Sequence, residues 1–303
     1  MAALSSHREG IHRHSSPFLV AAMLGPSAAL LLVFSYTPAF IGLQRAFTHW
    51  ETGEPAVWCG LANFAAMARD EFLRVSVWNQ ILILAANLVK TLTAPFLVAE
   101  LIAGLRSTRW QYAFRTLFIL PMVVPGMVTM LLWAFIYDGS VGLLNMLLEG
   151  VGLQHWTRSW LGEPGTALPA LVGVGFPWAG GLALLVYLAG LNGVPTDVWD
   201  AAALDGSVGL RRILAIDVPM LMPQIRLLAT LTVISALQDF GSILVLTGGG
   251  PGLSTHVPAL HMYYQAFRFG HMGYAAAIGF ALFVVILALS LLNQRWGRSK
   301  AER

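Results

Sequence analysis

Charged residues are scarce in this chain. Aspartate, glutamate, lysine and arginine supply 11% of its 303 residues, whereas soluble domains carry about 25%. Hydrophobic residues supply 57%. A chain of this composition cannot cover its own surface with polar groups. It is therefore not an ordinary soluble domain, and we expect it to use lipid as part of its solvent.

Cysteine is nearly absent, since Cys59 is the only one. A single cysteine cannot form an internal disulfide and offers no metal-site spacing. The glycine-rich run Thr247–Gly252 is not followed by the Gly-Lys-Ser/Thr of a phosphate-binding loop. No nucleophile stands beside a base, and no cluster of basic residues suggests a nucleic-acid surface. We therefore expect no catalytic residue, metal or cofactor in this chain, and no nucleic-acid partner.

Long apolar runs dominate the sequence instead. A helix that crosses a bilayer needs about 20 mostly apolar residues. Six runs have this length: Phe18–Leu43, Val77–Ala99, Thr116–Tyr137, Ala167–Leu191, Leu227–Leu246 and Tyr274–Leu292. They predict an all-α, polytopic membrane protein with six transmembrane helices.

Basic residues predict the orientation, because lysine and arginine concentrate on the cytoplasmic side. Six crossings place both termini on one side. That side carries Arg8, Arg13, Arg106, Arg109, Arg115, Arg211, Arg212, Arg226, Arg295, Arg298, Lys300 and Arg303. The opposite side carries only Arg45, Arg69, Arg74, Arg158 and Arg268. We expect cytoplasmic tails at residues 1–17 and 293–303, a membrane domain at 18–292, and a cytoplasmic loop at 192–222 between the fourth and fifth helices.

The 192–222 loop contains start and stop signals for two short helices. Thr196 can cap the first helix, and the aspartate after it complements the positive end of the helix dipole. Gly206 can end that helix in the left-handed conformation. Ser207 can cap a second helix, which Pro219 would stop. The two helices would meet at about a right angle and dock a soluble partner; the alternative is a loop that rests on lipid headgroups.

The spacing within this loop resembles a known signature. It reads Asp200-Ala201-Ala202, three residues, Gly206, nine residues, Ile216, one residue and Val218-Pro219. The permeases of binding-protein-dependent ABC importers carry Glu-Ala-Ala, three, Gly, nine, Ile, one, Leu-Pro, so the chain departs only by Asp for Glu and Val for Leu. Further segments resemble the sugar-type branch of that family: Gly60–Phe64, Arg115–Phe118, Leu120–Pro121, Leu246–Pro251 and Gly273–Ala277.

The resemblance implies the transmembrane subunit of a type I importer in a bacterial or archaeal cytoplasmic membrane. Such a subunit pairs with ABC ATPase subunits, which hold ATP and Mg, and with a second permease that we expect to be a different chain. An external solute-binding protein would deliver a sugar or related carbohydrate, which the permeases move by alternating access. The residues implied to couple the loop to the ATPase are Asp200, Ala201, Ala202, Ala203, Asp205, Gly206, Ile216 and Pro219.

Two charges lie at membrane depth, Lys90 in the second predicted helix and Asp239 in the fifth. A charge at the bilayer centre costs about 2.5–3.5 kcal/mol on insertion scales, so such residues usually face a partner or a water-filled path. We expect them to pair or to line one cavity on the substrate pathway, with Asn87 and Gln238 beside them. Snorkelling or helix–helix contact would explain them equally well.

The fourth predicted helix is rich in glycine and contains Pro169 and Pro177. Such breaks line binding sites in many transporters, although close helix packing explains them as well. Trp178 and Tyr187 on this helix could stack on a sugar ring.

Two other functions compete with the importer hypothesis. An ion-coupled secondary transporter would use Lys90 and Asp239 as a relay, but it leaves the 192–222 loop unexplained. A membrane-embedded enzyme would use His256, His261 and His271 as bases, although solvated or structural roles account for those histidines.

Overall fold

The computed structural model describes residues 17–301, so the predicted tail at residues 1–17 lies almost wholly outside the described residues. The described helices are α1 (Pro17–Leu31), α2 (Thr37–Arg45), α3 (Ala62–Arg69), α4 (Glu71–Ala103), α5 (Thr108–Ile119), α6 (Gly126–Ile136), α7 (Leu143–Gly150), α8 (Pro164–Gly173), α9 (Gly181–Asn192), α10 (Thr196–Leu204), α11 (Leu210–Arg212), α12 (Val218–Met220), α13 (Met222–Gln238), α14 (Gly241–Leu246), α15 (Pro258–Phe267) and α16 (Met272–Ala301). Two-residue strands β1 (Thr48–His49) and β2 (Val57–Trp58) form an antiparallel hairpin. The all-α prediction is confirmed.

Three stretches of the described residues are long and apolar enough to cross a bilayer: Val20–Arg45, Glu71–Ala103 and Met272–Arg295. They correspond to the predicted first, second and sixth spans. In the first of them, a π-helical turn at Leu32–Tyr36 joins α1 to α2. The last helix continues past the predicted end of the sixth span, as far as Ala301.

The third predicted span is broken rather than continuous. The helical stretch Thr108–Val123, which is α5 with a 3-10 turn, bends by 94° against α6. Val124 at the bend is extended, and Pro125 follows it. Proline has no N–H to donate and pushes the preceding residue out of the helical conformation. One straight helix over residues 116–137 is therefore wrong.

The fourth and fifth predicted spans are broken as well. Residues 174–180 separate α8 from α9, at a point where Gly175 has φ +80° and Pro177 lacks an N–H. Asp239 is extended where α13 ends. Three sharply bent pairs can each be counted as one span by length and composition: Thr108–Val123 with α6, α9 with α10, and Leu210–Met220 with α13. With these pairs the described residues give up to six spans, a number compatible with the predicted six.

The main apolar core lies where α4, α9 and α13 pack together. Its buried residues are Phe96, Ala99, Ile102, Ala183, Leu184, Tyr187, Leu188, Leu191, Leu221 and Leu228. Because α9 leads into the 192–222 loop and α13 leaves it, this core holds both ends of the loop against α4.

At the opposite end of α4, Asp70 joins three helices. Its Oδ1 accepts from the Leu73 N–H at 3.1 Å and so caps α4. Its Oδ2 accepts from the Tyr274 hydroxyl of α16 at 2.6 Å and lies 3.0 Å from Nε2 of His261 on α15. Burial raises the pKa of the Asp70 carboxyl, but these hydrogen bonds outweigh burial and hold the pKa below its ordinary value of 3.8. The ionised carboxylate therefore stabilises this end of the bundle at neutral pH.

We predict that Asp70→Asn lowers the thermal unfolding temperature in detergent at pH 7. Asparagine keeps an oxygen for the Leu73 N–H but turns an NH₂ group towards Tyr274 and His261, and loss of such buried hydrogen bonds costs about 1–3 kcal/mol. Because the folded pKa is lowered, this contribution is present above pH 3.8 and is lost as the pH falls through the folded value. Glu71→Gln, at the exposed neighbouring position, is the matched control. Equal unfolding temperatures for the two variants would contradict the role assigned to Asp70.

Candidate functional sites: the 192–222 loop and a membrane-depth cavity

The first helix of the 192–222 loop is α10, as the sequence predicts. It begins after Pro195, which is extended and occupies the N-cap position without a side-chain hydrogen bond. The prediction that Thr196 caps the helix is therefore wrong, because Thr196 is already its first helical residue. Asp197 lies in the first turn, where a carboxylate is favourable for the helix dipole.

The end of α10 is a complete Schellman motif, which confirms the predicted stop at Gly206. The Ser207 N–H donates to the carbonyl of Ala202 at 2.8 Å, and the Gly206 N–H donates to that of Ala203 at 3.1 Å. Gly206 has φ +68°, and a Cβ built there would meet nothing within 4 Å. The position therefore requires glycine for its backbone conformation and not for space.

The two faces of α10 have different surroundings. Trp199 is half-buried and Ala202 is only 4% exposed, so these residues face the rest of the protein. The outward face consists of Asp200, Ala201, Ala203, Leu204 and Asp205, all of which are exposed. Leu204 is 89% exposed. The structure thus separates Ala202 from the other residues predicted to dock.

The second helical part of the loop runs from Leu210 to Met220 and differs from the prediction in two ways. It starts after Gly209, which has φ +58°, so Ser207 does not cap it. Pro219 lies inside this part and does not stop it. A π turn precedes the proline, and within it the Val218 N–H reaches back five residues to the carbonyl of Ile213.

The remaining predicted loop residues lie on this second part. Ile216 is half-buried, and Pro219 is exposed. The bends that carry the chain into and out of the loop are 74° between α9 and α10 and 71° between Leu210–Met220 and α13.

A buried ion cluster, which the sequence did not predict, lies beneath the loop. Arg212 donates through Nε to Asp217 at 2.9 Å and through Nη2 to Glu100 at 3.0 Å. Trp199 Nε1 donates to the other oxygen of Asp217 at 3.1 Å. In the sequence, Glu100 and Arg212 lie at the ends of apolar runs, where a charged residue usually belongs to a solvated loop. The one available signal was Asp217, an acid set between apolar residues just before a proline.

The two predicted membrane-depth charges line one cavity of about 180 Å³. Its lining comprises Ile83, Asn87, Lys90, Met130, Leu171, Val172, Val174, Ala236, Asp239, Ser242, Ile243 and Leu246. Among the described residues, Lys90 and Asp239 form no ion pair with each other; each has a separate partner.

Those partners lie at the ends of broken helices. Lys90 Nζ donates to the carbonyl of Val172, in the last turn of α8, at 2.9 Å. Asp239 accepts from the N–H of Ser242 at 3.2 Å and from its hydroxyl, at the start of α14. A cation thus meets the negative end of one helix, and an anion meets the positive end of another. Both charges satisfy backbone groups that lipid could not.

Three other predicted pathway residues do not line this cavity. Tyr187 is fully buried in the core, and its hydroxyl donates to the carbonyl of Leu92 at 3.4 Å. Trp178 lies in the 174–180 break, where its Nε1 donates to the carbonyl of Gly173 at 3.3 Å. Gln238 lines a different cavity, of about 280 Å³, beside α15 and α16.

Two of the three histidines considered as catalytic bases, His256 and His261, lie beside Asp70. His256 and His261 are buried, and their ring nitrogens lie 3.3 Å apart. Burial, followed by the neighbouring His261, lowers the pKa of His256 to about 4, so this imidazole is neutral at physiological pH. His271 is exposed and lies 2.9 Å from Gln265. Among the residues whose side chains the structure describes, no group of three or more histidine, cysteine, aspartate or glutamate residues is placed to hold a metal ion.

Comparisons with known proteins agree with this architecture. Residues 97–300 match the family described as binding-protein-dependent transport system inner membrane component. The chain is 30% identical over 276 residues to the probable ABC transporter permease protein YurN of Bacillus subtilis, covering 91% of this chain and 94% of that protein. It is also 30% identical over 295 residues to the diacetylchitobiose uptake system permease protein NgcF of Streptomyces coelicolor, covering 93% of this chain and 84% of that protein.

A solved structure is similar over almost the whole fold. It belongs to a bacterial ABC transporter involved in the import of the acidic polysaccharide alginate, with a TM-score of 0.82 and 25% identity, covering 93% of this chain and 96% of that chain. The family match spans more than half of this chain and the curated relatives span nearly all of it. The chain therefore belongs to the family of inner membrane components of binding-protein-dependent transport systems and is an ABC transporter permease, a transport subunit rather than an enzyme.

Proposed function

We propose that this permease imports a sugar or related carbohydrate across a bacterial or archaeal cytoplasmic membrane by alternating access. An extracytoplasmic binding protein delivers the solute, and a second, different permease completes the pathway. ABC ATPase subunits, which hold ATP and Mg, dock on the 192–222 loop from the cytoplasm, where both termini also lie. The carbohydrate assignment is supported by two similar proteins, one from a diacetylchitobiose uptake system and one from a transporter that imports alginate.

The docking assignment rests on one observation about α10. This helix ends at a well-defined turn, and only one of its faces packs against the rest of the protein. Its Schellman motif fixes where the helix stops, and its inner face packs through Trp199 and Ala202. Its outer face presents two alanines, two aspartates and the almost fully exposed Leu204. A narrow helix with an exposed apolar residue at its end and acidic residues beside it suits a groove on a partner protein. Lipid headgroups alone would not require this helix to end so sharply.

The cavity that contains Lys90 and Asp239 is the proposed solute path. An ion-coupled mechanism would need these two charges to exchange protons or ions with each other or with solvent. Each of them is instead bonded to the end of a broken helix. These bonds favour a fixed, polar cavity wall over an ion relay.

The first test is co-purification. We expect the chain, expressed with the ATPase and permease subunits of its own transport system, to form a complex that hydrolyses ATP and drives carbohydrate uptake into proteoliposomes. Uptake driven by an ion gradient in the absence of ATP would overturn the proposal.

Gly206 provides a sharper test of the loop. We predict that Gly206→Val leaves the protein in the membrane but lowers ATP-driven uptake at least tenfold, because valine resists a φ of +68° and shifts the end of α10. Gly206→Asn is the matched control, since asparagine tolerates the left-handed region and should retain most uptake. Normal uptake in the valine variant would contradict a coupling role for this turn.

Asp239 provides a test of the cavity. Asparagine can still accept the Ser242 N–H and so keep α14 capped, whereas alanine cannot. We predict that Asp239→Asn leaves the assembled complex intact but raises the KM for uptake about tenfold, a typical effect of losing a hydrogen bond to a charged group. Asp239→Ala should in addition lower the yield of folded protein. An unchanged KM in the asparagine variant would remove Asp239 from the solute path.

A further inference from the structure

We propose that the Glu100–Arg212–Asp217 cluster carries movement of the 192–222 loop directly into α4, so that Arg212 and Glu100 are positioning residues for transport. This inference rests on the proposed function, because it assumes that the loop moves when a partner ATPase closes. The cluster would transmit motion from the loop to α4 through side-chain contacts, in addition to any motion transmitted along the backbone into α9 or α13.

The two acids of the cluster are buried, and Arg212 contacts both of them. Asp217 is fully buried, the Glu100 side chain is 5% exposed, and Arg212 is 34% exposed. Arg212 uses two different nitrogens of its fork for the two acids, Nε for Asp217 and Nη2 for Glu100. These contacts bridge positions 112 residues apart in the sequence. Because the guanidinium group is planar and its donors point in fixed directions, an arginine in such a site sets the relative positions of its two acidic partners as well as balancing their charge.

The helix α10, the proposed docking helix, contacts this cluster through Trp199. Its Nε1 donates to Asp217 Oδ1 at 3.1 Å, and the Arg212 guanidinium carbon lies 5.9 Å from the centre of its ring. Trp199 is on the inner face of α10, one residue before the exposed Asp200. A displacement of α10 by a partner therefore reaches Asp217, then Arg212, and then Glu100.

Glu100 lies on the helix that lines the cavity. It is ten residues after Lys90 and thirteen after Asn87 on the same continuous helix, α4. At 1.5 Å of rise per residue, Glu100 is about 15 Å along the axis from Lys90. The intervening turns pack in the main core, where Phe96 and Ala99 are buried. A push at Glu100 is thus transmitted through packed helix to the cavity wall.

The cluster has two acidic groups for one arginine, and this imbalance argues against the view that it only stabilises the fold. Two carboxylates share one guanidinium, and the second oxygen of Glu100, Oε1, is buried and has no hydrogen-bond partner among the described residues. Buried ion pairs are often no more stable than apolar residues of similar volume. Removal of Glu100 would leave a one-to-one Arg212–Asp217 pair. Stability and transport should therefore respond differently to its loss.

Glu100→Met exploits this difference. In the complete transporter reconstituted in proteoliposomes, we expect this variant to keep the wild-type unfolding temperature and the amount of assembled complex. We expect solute transported per ATP hydrolysed to fall about tenfold. A drop in unfolding temperature that accompanies the loss of uptake would overturn the proposal in favour of a structural role. Wild-type uptake per ATP would overturn it as well.

Arg212→Lys tests the bridge itself. Lysine keeps the positive charge but, as a point charge, cannot present two fixed nitrogens to two acids. We expect the same loss as in Glu100→Met, and no further loss when the two changes are combined. Arg106→Lys, at an exposed arginine just beyond α4, is the matched control and should transport normally. Additive losses in the double variant would show that the two residues do not act through one contact.

These measurements separate the inference from the proposed function. If the wild-type complex shows no ATP-driven uptake, the proposed function fails. If the wild type transports and both variants do so equally well, only the proposal for the cluster fails. If Arg212→Lys does not assemble, Glu100→Met alone decides, because it lowers the number of buried charges.

Discussion

Lipid cannot hydrogen-bond the backbone, and the architecture of this permease depends on that constraint. Three apolar runs that could each have formed a continuous helix are interrupted, and every interruption frees carbonyl or N–H groups at membrane depth. At two of the interruptions a charged side chain supplies the missing partner. Lys90 bonds to the end of α8, and Asp239 bonds to the start of α14. The breaks therefore persist, and a polar cavity lies between them.

The same arrangement links the cavity to the 192–222 loop. The helices that enter and leave the loop, α9 and α13, pack on α4 around a core that includes Leu184, Leu191 and Leu228. The helix α4 supplies Asn87 and Lys90 to the cavity wall and reaches Glu100 below the loop. A rigid, well-packed core of this kind passes displacement on instead of absorbing it. Loop and cavity thus belong to one mechanical unit in the proposed function.

The sequence predicted those features of the loop that depend only on neighbouring residues. The end of α10 at Gly206 could be predicted, because few residues other than glycine accept that backbone conformation at low cost. The N-cap residues could not be predicted, because Thr196 is the first residue inside α10 and Ser207 lies two residues before the N-cap Gly209, and a serine or threonine at either position looks like a cap in the sequence. Pro219 lies inside its helical segment and does not stop it, because the wider π turn before it relieves the clash between the proline ring and the backbone carbonyl of the preceding turn. Nor could the contact of Arg212 with Glu100 be predicted, because nothing local connects positions so distant in sequence.

The most direct test of the account is the accessibility of the cavity itself. Cys59 is the only cysteine of this chain, so a Cys59→Ser background makes Asn87→Cys the single position of this chain that a thiol reagent can label. The assembled transporter can then be treated from the outer face with a membrane-impermeant thiol reagent, once without nucleotide and once with ATP and vanadate, which trap ADP and vanadate after hydrolysis. The account predicts that labelling of residue 87 changes at least tenfold between the two states. Equal labelling in both states would contradict a cavity whose opening is driven by nucleotide through the 192–222 loop.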